Sequence, residues 1–258
     1  MAPGLTERPG PLLEVTGLSR AYGEVRAVSD LSFAVGPGEI LGLVGPNGAG
    51  KTTTLRCLCG ILPPGAGAVR VCGRDLAADP VGAKGRLAFL PDEPRLYEHL
   101  TVWEHLGLTA RLHQLVGWEG RAEALLKAHA LLEKRDDLPG ELSRGMRQKV
   151  QLACGLLHDP SVILLDEPLT GLDPGAIRQT KDELRARAAA GAAIVLSSHL
   201  LGLVEELCHR VLILAGGRRL ALGTLDELRA WAAAGGGDTS LEGIFLALTA
   251  SPPGAPAP

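Results

Sequence analysis

A glycine-rich stretch near the start of the chain carries residue types that can hold a polyphosphate. It consists of Gly45, Pro46, Asn47, Gly48, Ala49, Gly50, Lys51 and Thr52, and Thr53 opens the segment that follows. Glycines at this spacing let backbone N–H groups turn inward around phosphates, while Lys51 reaches the outer phosphates and the Thr52 hydroxyl can bind Mg²⁺. Because an apolar run precedes the stretch, the sequence predicts a phosphate-binding loop between a strand and a helix, rather than a plain glycine-rich turn.

Two adjacent carboxylates, Asp166 and Glu167, follow a second apolar run at residues 162–165. Such a run is typical of a central parallel strand, and open α/β sheets bind ligands at the carboxyl ends of their strands. We therefore expect Asp166 to lie beside Mg²⁺, and Glu167 to orient or deprotonate an attacking water. A solvated acidic pair that opens a loop is the alternative.

A third segment, residues 142–148, precedes apolar residues at helical spacing. Ser143 has the position of a helix N-cap, and the free N–H groups and dipole of a helix start can bind an anion. Taken alone, the segment is an ordinary capped helix.

In combination, these segments make the chain resemble the nucleotide-binding subunits of ABC transporters. The motifs occur in the order of that family: the Walker A loop at residues 45–52, the signature at 142–148, the Walker B strand at 162–167, the D-loop at 171–173 and the switch histidine at 199. The resemblance runs from about residue 12 to residue 249, which is nearly the whole chain.

The resemblance implies several roles that spacing alone does not. Tyr22 would stack on the adenine of ATP, and His199 would contact the γ-phosphate. Two such subunits would pair head to tail, as a homodimer or a heterodimer, so that Ser143 and Gly145 of one complete the site of the other. Asp173 would act in the D-loop, although it also fits a helix N-cap that is followed by proline. From the residues alone, a capping role for His199 stays open.

Within the family, the chain is most similar to the ATP-binding subunits of ABC-2-type exporters. Arg144 stands where many relatives have glycine, and Asp92 stands where the family usually has the glutamine of its Q-loop. A carboxylate only accepts hydrogen bonds, whereas an amide also donates them. Asp92 could therefore approach Mg²⁺, as a metal residue beside Thr52 and Asp166, or it could relay the nucleotide state to the helical part of the chain. We favour the relay.

Composition argues against nucleic acid as a partner. The chain has 258 residues and a formal net charge of −3, with only three Trp, two Tyr and three Phe. A single-strand binding platform needs aromatic faces, and a nucleic-acid footprint needs a basic surface. Five cysteines without a C-x-x-C pair favour reduced thiols with packing roles over disulfides or a zinc site.

No apolar stretch is long enough for a membrane span, and the first residues lack the apolar core of a signal peptide. We therefore expect a cytoplasmic protein, and the resemblance implies that an integral membrane permease holds it peripherally at the inner face of the cell membrane. By resemblance, the contact with the permease would involve residues 95–97.

The pattern of runs predicts an α/β fold: a P-loop NTPase with a mostly parallel, doubly wound sheet, an N-terminal antiparallel β-subdomain and an inserted helical subdomain. We assign residues 12–249 to one ATP-binding domain, with the helical subdomain at about 101–159 and a C-terminal appendix at about 216–249. Residues 1–11 and 250–258 are expected to be flexible tails.

The sequence favours an ATPase that energises transport through a separate permease, with export as the expected direction. A soluble ABC ATPase in assembly or maturation, for example of iron–sulfur clusters, is the alternative class. A regulatory module that binds nucleotide without turnover is disfavoured by the intact Lys51, Asp166 and Glu167, and weakly favoured by Asp92.

Overall fold

The computed structural model describes residues 10–250, which fold into two sheets flanked by helices. The strands are Leu13–Tyr22 (β1), Val25–Val35 (β2), Ile40–Val44 (β3), Ala66–Val71 (β4), Arg74–Asp75 (β5), Leu87–Leu90 (β6), Val162–Asp166 (β7), Ala193–Ser197 (β8), Arg210–Ala215 (β9) and Arg218–Thr224 (β10). The α-helices are Lys51–Leu58 (α1), Pro80–Lys84 (α2), Val102–Leu112 (α3), Glu119–Ala128 (α4), Arg144–Leu157 (α5), Pro174–Ala189 (α6), Leu201–Leu207 (α7), Leu225–Ala234 (α8) and Leu241–Ala250 (α9).

The larger sheet has the order β10-β9-β3-β8-β7-β6, and only the β9–β10 pair is antiparallel. Every residue of β3, β7 and β8 is buried, because helices cover both faces of the sheet. Burying one Val, Leu or Ile side chain contributes roughly 1.5–3 kcal/mol. The predicted parallel sheet is confirmed. The carboxyl ends of its parallel strands lie at the same edge of the sheet.

The smaller sheet has the order β2-β1-β4-β5 and is antiparallel throughout. The alternating pattern over residues 12–38 predicted β1 and β2 but not β4 and β5. β4 contains Gly67, which has a φ of +86° and whose added Cβ would lie 2.4 Å from the Gly17 backbone. Such a close approach of two strands favours glycine, and it conceals the strand from a search for alternating apolar residues.

The predicted helical subdomain contains α3, α4 and α5, joined by two short 3₁₀ turns. α3 begins with the predicted capping box, in which Thr101 Oγ1 accepts from the Glu104 N–H and Glu104 Oε2 accepts from the Thr101 N–H. The apolar face of α5 packs into the same core as β7 and β8. The signature segment is therefore fixed to the sheet through a buried helix.

His129 is buried in the core, where burial lowers its pKa. All five cysteines are free, and Cys57, Cys59 and Cys208 are buried. In the described part of the chain, no helix combines the length and the apolar character that crossing a membrane requires.

The predicted C-terminal appendix contains β10, α8 and α9, and α9 packs on α7 and α8. Helix α9 ends at Ala250, which is the first residue of the predicted C-terminal tail. The remainder of that tail and most of the N-terminal one lie outside the described residues.

Candidate functional site

The glycine-rich loop joins β3 to α1, as its sequence predicts. Lys51 is the first residue of α1, and its Nζ donates to the carbonyl oxygens of Gly45 at 2.7 Å and Pro46 at 3.3 Å. The N-cap, Gly50, has no side chain to bond the first N–H groups of the helix. Unbonded N–H groups, the positive end of the helix dipole and the ammonium of Lys51 make this loop suited to phosphate.

Glycine is required at two positions of this loop for different reasons. Gly45 lies so close to β9 that an added Cβ would be 2.4 Å from the Leu214 carbonyl oxygen. Gly50 has a φ of +101°, and its added Cβ would be 2.2 Å from the Ala27 carbonyl oxygen. The path of the loop is therefore available only to glycine at these positions.

The adjacent carboxylates lie at the end of β7. Asp166 is buried, and its Oδ1 accepts a hydrogen bond from Ser197 Oγ at 2.8 Å. Because β8 runs parallel beside β7, Ser197 lies opposite Asp166. This bond fixes the orientation of the Asp166 carboxylate toward the end of the sheet.

Glu167 is the first residue after β7 and adopts a left-handed conformation, with a φ of +48°. Its N–H donates to the Ser197 carbonyl, and its Oε2 lies 2.8 Å from His199 Nδ1. A left-handed glutamate is uncommon and costs free energy. Bonds to Ser197, the last residue of β8, and to His199 just beyond it compensate for this cost and hold the side chain against His199.

The phosphate-binding loop and the two carboxylates line one cleft of about 430 Å³, whereas Ser197 and His199 are not among its lining residues. It is lined by Tyr22, Ala27, Asn47, Gly48, Ala49, Gly50, Lys51, Thr52, Thr53, Asp166 and Glu167. The Tyr22 ring is exposed and therefore available for stacking. Hydroxyl and carboxylate oxygens are the donors that Mg²⁺ prefers, so Thr52 and Asp166 fit that ion.

The signature residues lie apart from this cleft and do not line it. Ser143 caps α5, with its Oγ accepting from the Met146 N–H, and an added Cβ on Gly145 would lie 3.3 Å from the Gly171 carbonyl oxygen. Asp173 caps α6 by accepting from the Ala176 N–H, and this bond lowers the pKa of Asp173. The signature and the D-loop thus lie side by side.

Asp92 lies outside the cleft lining as well. Its Oδ1 is 3.9 Å from Arg144 Nη2, so the two departures from the family pattern are neighbours in the fold. Arg144 also covers Gly171, whose added Cβ would lie 3.3 Å from Arg144 Cδ.

Two residues of the site were not predicted. Ala27 lines the cleft from β2, and its small side chain gives no chemical signal in the sequence. Ser197 holds Asp166. A pair of serines at the end of an apolar run was a signal for a polar group directed at a ligand edge.

Comparisons with known proteins agree with this geometry. The family model described as ABC transporter matches residues 28–170. The chain is 37% identical to the ABC-type transporter ATP-binding protein EcsA of Bacillus subtilis (strain 168), over 92% of this chain and 96% of that protein. It is 40% identical to the Nod factor export ATP-binding protein I of Paraburkholderia xenovorans (strain LB400), over 85% of this chain and 73% of that one.

Among solved structures, an ATP-binding subunit of an ABC transporter superposes with a TM-score of 0.87 at 38% identity, over 92% of this chain and 99% of that chain. A nucleotide-free ATP-binding cassette from an ABC transporter superposes with a TM-score of 0.72 at 22% identity, which shows a shared fold. The relatives include export-type proteins, in agreement with the expectation from the motifs. The chain belongs to the ABC transporter family, as one of its ATP-binding subunits.

Proposed function

We propose that this chain hydrolyses ATP in the presence of Mg²⁺, and that hydrolysis drives export through a separately encoded membrane permease. The observation that carries the proposal is the single cleft in which Lys51, Asp166 and Glu167 meet. The printed name of the Paraburkholderia relative refers to export, and this supports the direction of transport.

ATP binding would use groups that the fold holds ready. Tyr22, whose side chain is 47% exposed, would stack on adenine, and the N–H groups of the loop from Gly45 to Thr53 would surround the phosphates. Lys51 would exchange its two carbonyl partners for the β- and γ-phosphate oxygens. Both partners are neutral, so the exchange gains a charge-assisted bond at the expense of weaker ones.

Thr52 and Asp166 would hold Mg²⁺, which neutralises phosphate charge when it is bound. The bond from Ser197 keeps the Asp166 carboxylate oriented. Because orientation is fixed before the ligand arrives, little free energy is spent on rearranging the carboxylate.

Glu167 would accept the proton of the attacking water. Its carboxylate is held by His199 at the end of β8, which positions it for the water rather than for the metal. His199 would contact the γ-phosphate from the same edge. Its side chain is 59% exposed, so it has room to reach a ligand in the cleft.

Ser143, Gly145 and Asp173 would act on the ATP of a second nucleotide-binding subunit. These three residues do not line the cleft of their own chain, which supports this role. One chain then presents two different surfaces, its own ATP cleft and the signature segment that would contact the ATP of the other subunit. Two subunits in head-to-tail order, identical or different, would bury two ATP molecules. Loss of the γ-phosphate removes a shared anion and would let them separate.

The permease would contact the helical subdomain beside Leu96 and Tyr97. A cavity of about 600 Å³ lies there, lined by Leu96, Glu98 and Leu138 among others, and the Tyr97 side chain is 64% exposed. An exposed aromatic beside a hollow lined by apolar and charged residues, which include Glu98, Glu141 and Arg147, is suited to a protein contact. Through the permease the chain would lie at the cytoplasmic face of the cell membrane.

The test is affinity purification of the tagged full chain from membranes of its own organism, with ATP and the variant Glu167→Gln to retain the bound state. We expect a polytopic membrane protein to copurify in stoichiometric amount. Lys51→Ala serves as the control, because weakened ATP binding should reduce recovery. Recovery without any membrane protein, together with an iron–sulfur scaffold, would replace transport with the assembly role.

A further inference from the structure

A large cavity lies away from the nucleotide cleft. It has a volume of about 650 Å³ and lies where β1 and β2 meet β10 and the segment before β4. None of its lining residues lines the nucleotide cleft. Its size is in the range of small-molecule sites.

Four arginines line this cavity, which we call the arginine cavity: Arg20, Arg26, Arg218 and Arg219. Asp30 is the one acidic residue among the lining residues given for it. Two of the arginines lie on the β1–β2 hairpin and two on β10, so the cavity brings together residues that are far apart in the sequence. In a chain with a net charge of −3, this is a local excess of positive charge.

The arginines are not neutralised by the protein. Within the described residues, none of the four has a carboxylate oxygen within 4.0 Å, whereas Arg74, Arg121 and Arg187 do. Arg20 donates from Nη1 to the Pro63 carbonyl at 3.0 Å. Its Nε is buried without a hydrogen-bond partner. A buried unbonded donor on a cation is costly, and an anion in the cavity would satisfy it.

Hydrogen bonds between side chains and the backbone hold the cavity in shape. Arg219 Nη1 donates to the Ser32 carbonyl at 3.1 Å, which ties β10 to β2. Asp30 is in a left-handed conformation, with a φ of +49°, and its N–H donates to Ser19 Oγ. Arg20 and Arg219 are therefore held before a ligand arrives, and less entropy is lost on ordering these two side chains.

We propose that the arginine cavity binds a small polyanion that carries several phosphate groups. Guanidinium groups present planar pairs of donors that match phosphate oxygens, and several phosphates are needed to engage arginines on two elements at once. A carboxylate of single charge would leave most of the arginines unpaired. The site is separate from the ATP site, and the ligand would bind beside Tyr22, because the Arg20 guanidinium lies 5.2 Å from the centre of that ring.

The test measures tripolyphosphate binding to the full chain by isothermal titration calorimetry without Mg²⁺. Lys51→Ala is the background, since it weakens binding at the phosphate loop. On this background we add Arg26→Gln with Arg218→Gln, because both side chains are exposed and neither makes a side-chain hydrogen bond in the described residues. Arg70→Gln is the matched control, an exposed arginine on β4 outside the cavity.

We expect the Lys51→Ala protein to keep one tripolyphosphate site. The double arginine replacement should weaken that site about 100-fold, the effect of losing two charge-assisted contacts, while Arg70→Gln changes it less than about threefold. Arg20→Gln, tested separately, should also weaken it. Equal binding in the double variant and in the Arg70→Gln control, or no binding in the Lys51→Ala protein, would overturn the proposal. All arginine variants carry the same Lys51→Ala replacement, so the difference between them does not depend on the role of Lys51.

Discussion

The carboxylate of Glu167 and the imidazole of His199 are joined by a contact of 2.8 Å between Oε2 and Nδ1. The two residues belong to the ends of neighbouring parallel strands, β7 and β8. An ionised carboxylate accepts, so Nδ1 carries the proton and leaves Nε2 for a ligand. Under the proposed function, this edge of the sheet would hold a proton acceptor, Glu167, and a residue that orients it, His199.

This relationship leads to the first prediction, on Glu167→Gln. The amide is nearly isosteric and keeps ATP affinity within a few-fold, but it cannot accept the proton of water. We expect turnover to fall by about 10²–10⁴-fold. Steady-state hydrolysis and equilibrium ATP binding are the measurements, with Glu119→Gln on α4 as a control for loss of a distant carboxylate.

The same prediction extends to His199→Ala, which should lower kcat because Glu167 loses its partner. If the residues act as a unit, the double variant should be little worse than Glu167→Gln alone. Turnover of Glu167→Gln at the native rate would show that another group accepts the proton.

The second prediction concerns assembly of two subunits. On the Glu167→Gln background with ATP and Mg²⁺, the chain should dimerise, and Ser143→Arg should prevent it because a bulky cation fills the place of the phosphate. Light scattering measures both states. Ser143→Ala is the comparison, since it removes the hydroxyl, and with it the N-cap bond to Met146 worth about 1 kcal/mol, without adding bulk or charge.

A protein that stays monomeric in every condition, even with its membrane partner supplied, would contradict the composite site. A dimer that forms equally well with Ser143→Arg would place the contact elsewhere on the subunit.

The third prediction concerns Asp92, which lies 3.9 Å from Arg144 between Oδ1 and Nη2. Both side chains are about half exposed, so the pair contributes only about 0–1 kcal/mol to stability. For a relay, we expect Asp92→Gln to be tolerated and Asp92→Asn to leave the Mg²⁺ requirement within about twofold. The measurement is a Mg²⁺ titration of ATPase activity.

A several-fold rise in the Mg²⁺ needed for half activity of Asp92→Asn would instead assign the carboxylate to the metal. Arg144→Gln separates the two roles further. This variant removes the positively charged neighbour of Asp92 and leaves the Asp92 carboxylate in place.

The fourth prediction concerns pH and the stacked pair His113 and His158, whose ring centroids are 3.7 Å apart. Burial and the neighbouring His113 lower the pKa of His158 to about 4. An unfolded histidine has a pKa near 6.5, so the unfolded state binds the proton more readily. Stability should therefore fall as pH decreases from about 6.5 to about 4, and change little from this residue above that range.

The variant His158→Phe keeps an aromatic ring for stacking and does not titrate. We expect it to retain about 1–2 kcal/mol more of its neutral-pH stability at pH 4 than the native chain does, a value that allows for partial exposure of His158. Denaturant unfolding at pH 4 and pH 7.5 is the measurement. Equal losses in the two proteins would show that His158 is not a source of the acid sensitivity.

The sequence alone determined the family, the order of motifs and most strands of the central sheet. The loop around Lys51 and the acids after β7 are local patterns, since each depends on a few consecutive residues whose chemistry is specific. The N-caps Ser143 and Asp173 were predicted for the same reason, because a cap acts within one turn of helix.

Tertiary structure decided which distant residues meet. Ser197 bonds Asp166, and Arg144 lies beside Asp92, because parallel strands and packed helices bring together positions far apart in the chain. β4 was missed because only Val69, Arg70 and Val71 alternate in burial, while its first half is exposed and contains the glycine of the close approach. The arginine cavity is likewise formed only by the fold, since its arginines come from opposite ends of the chain and have no common sequence motif.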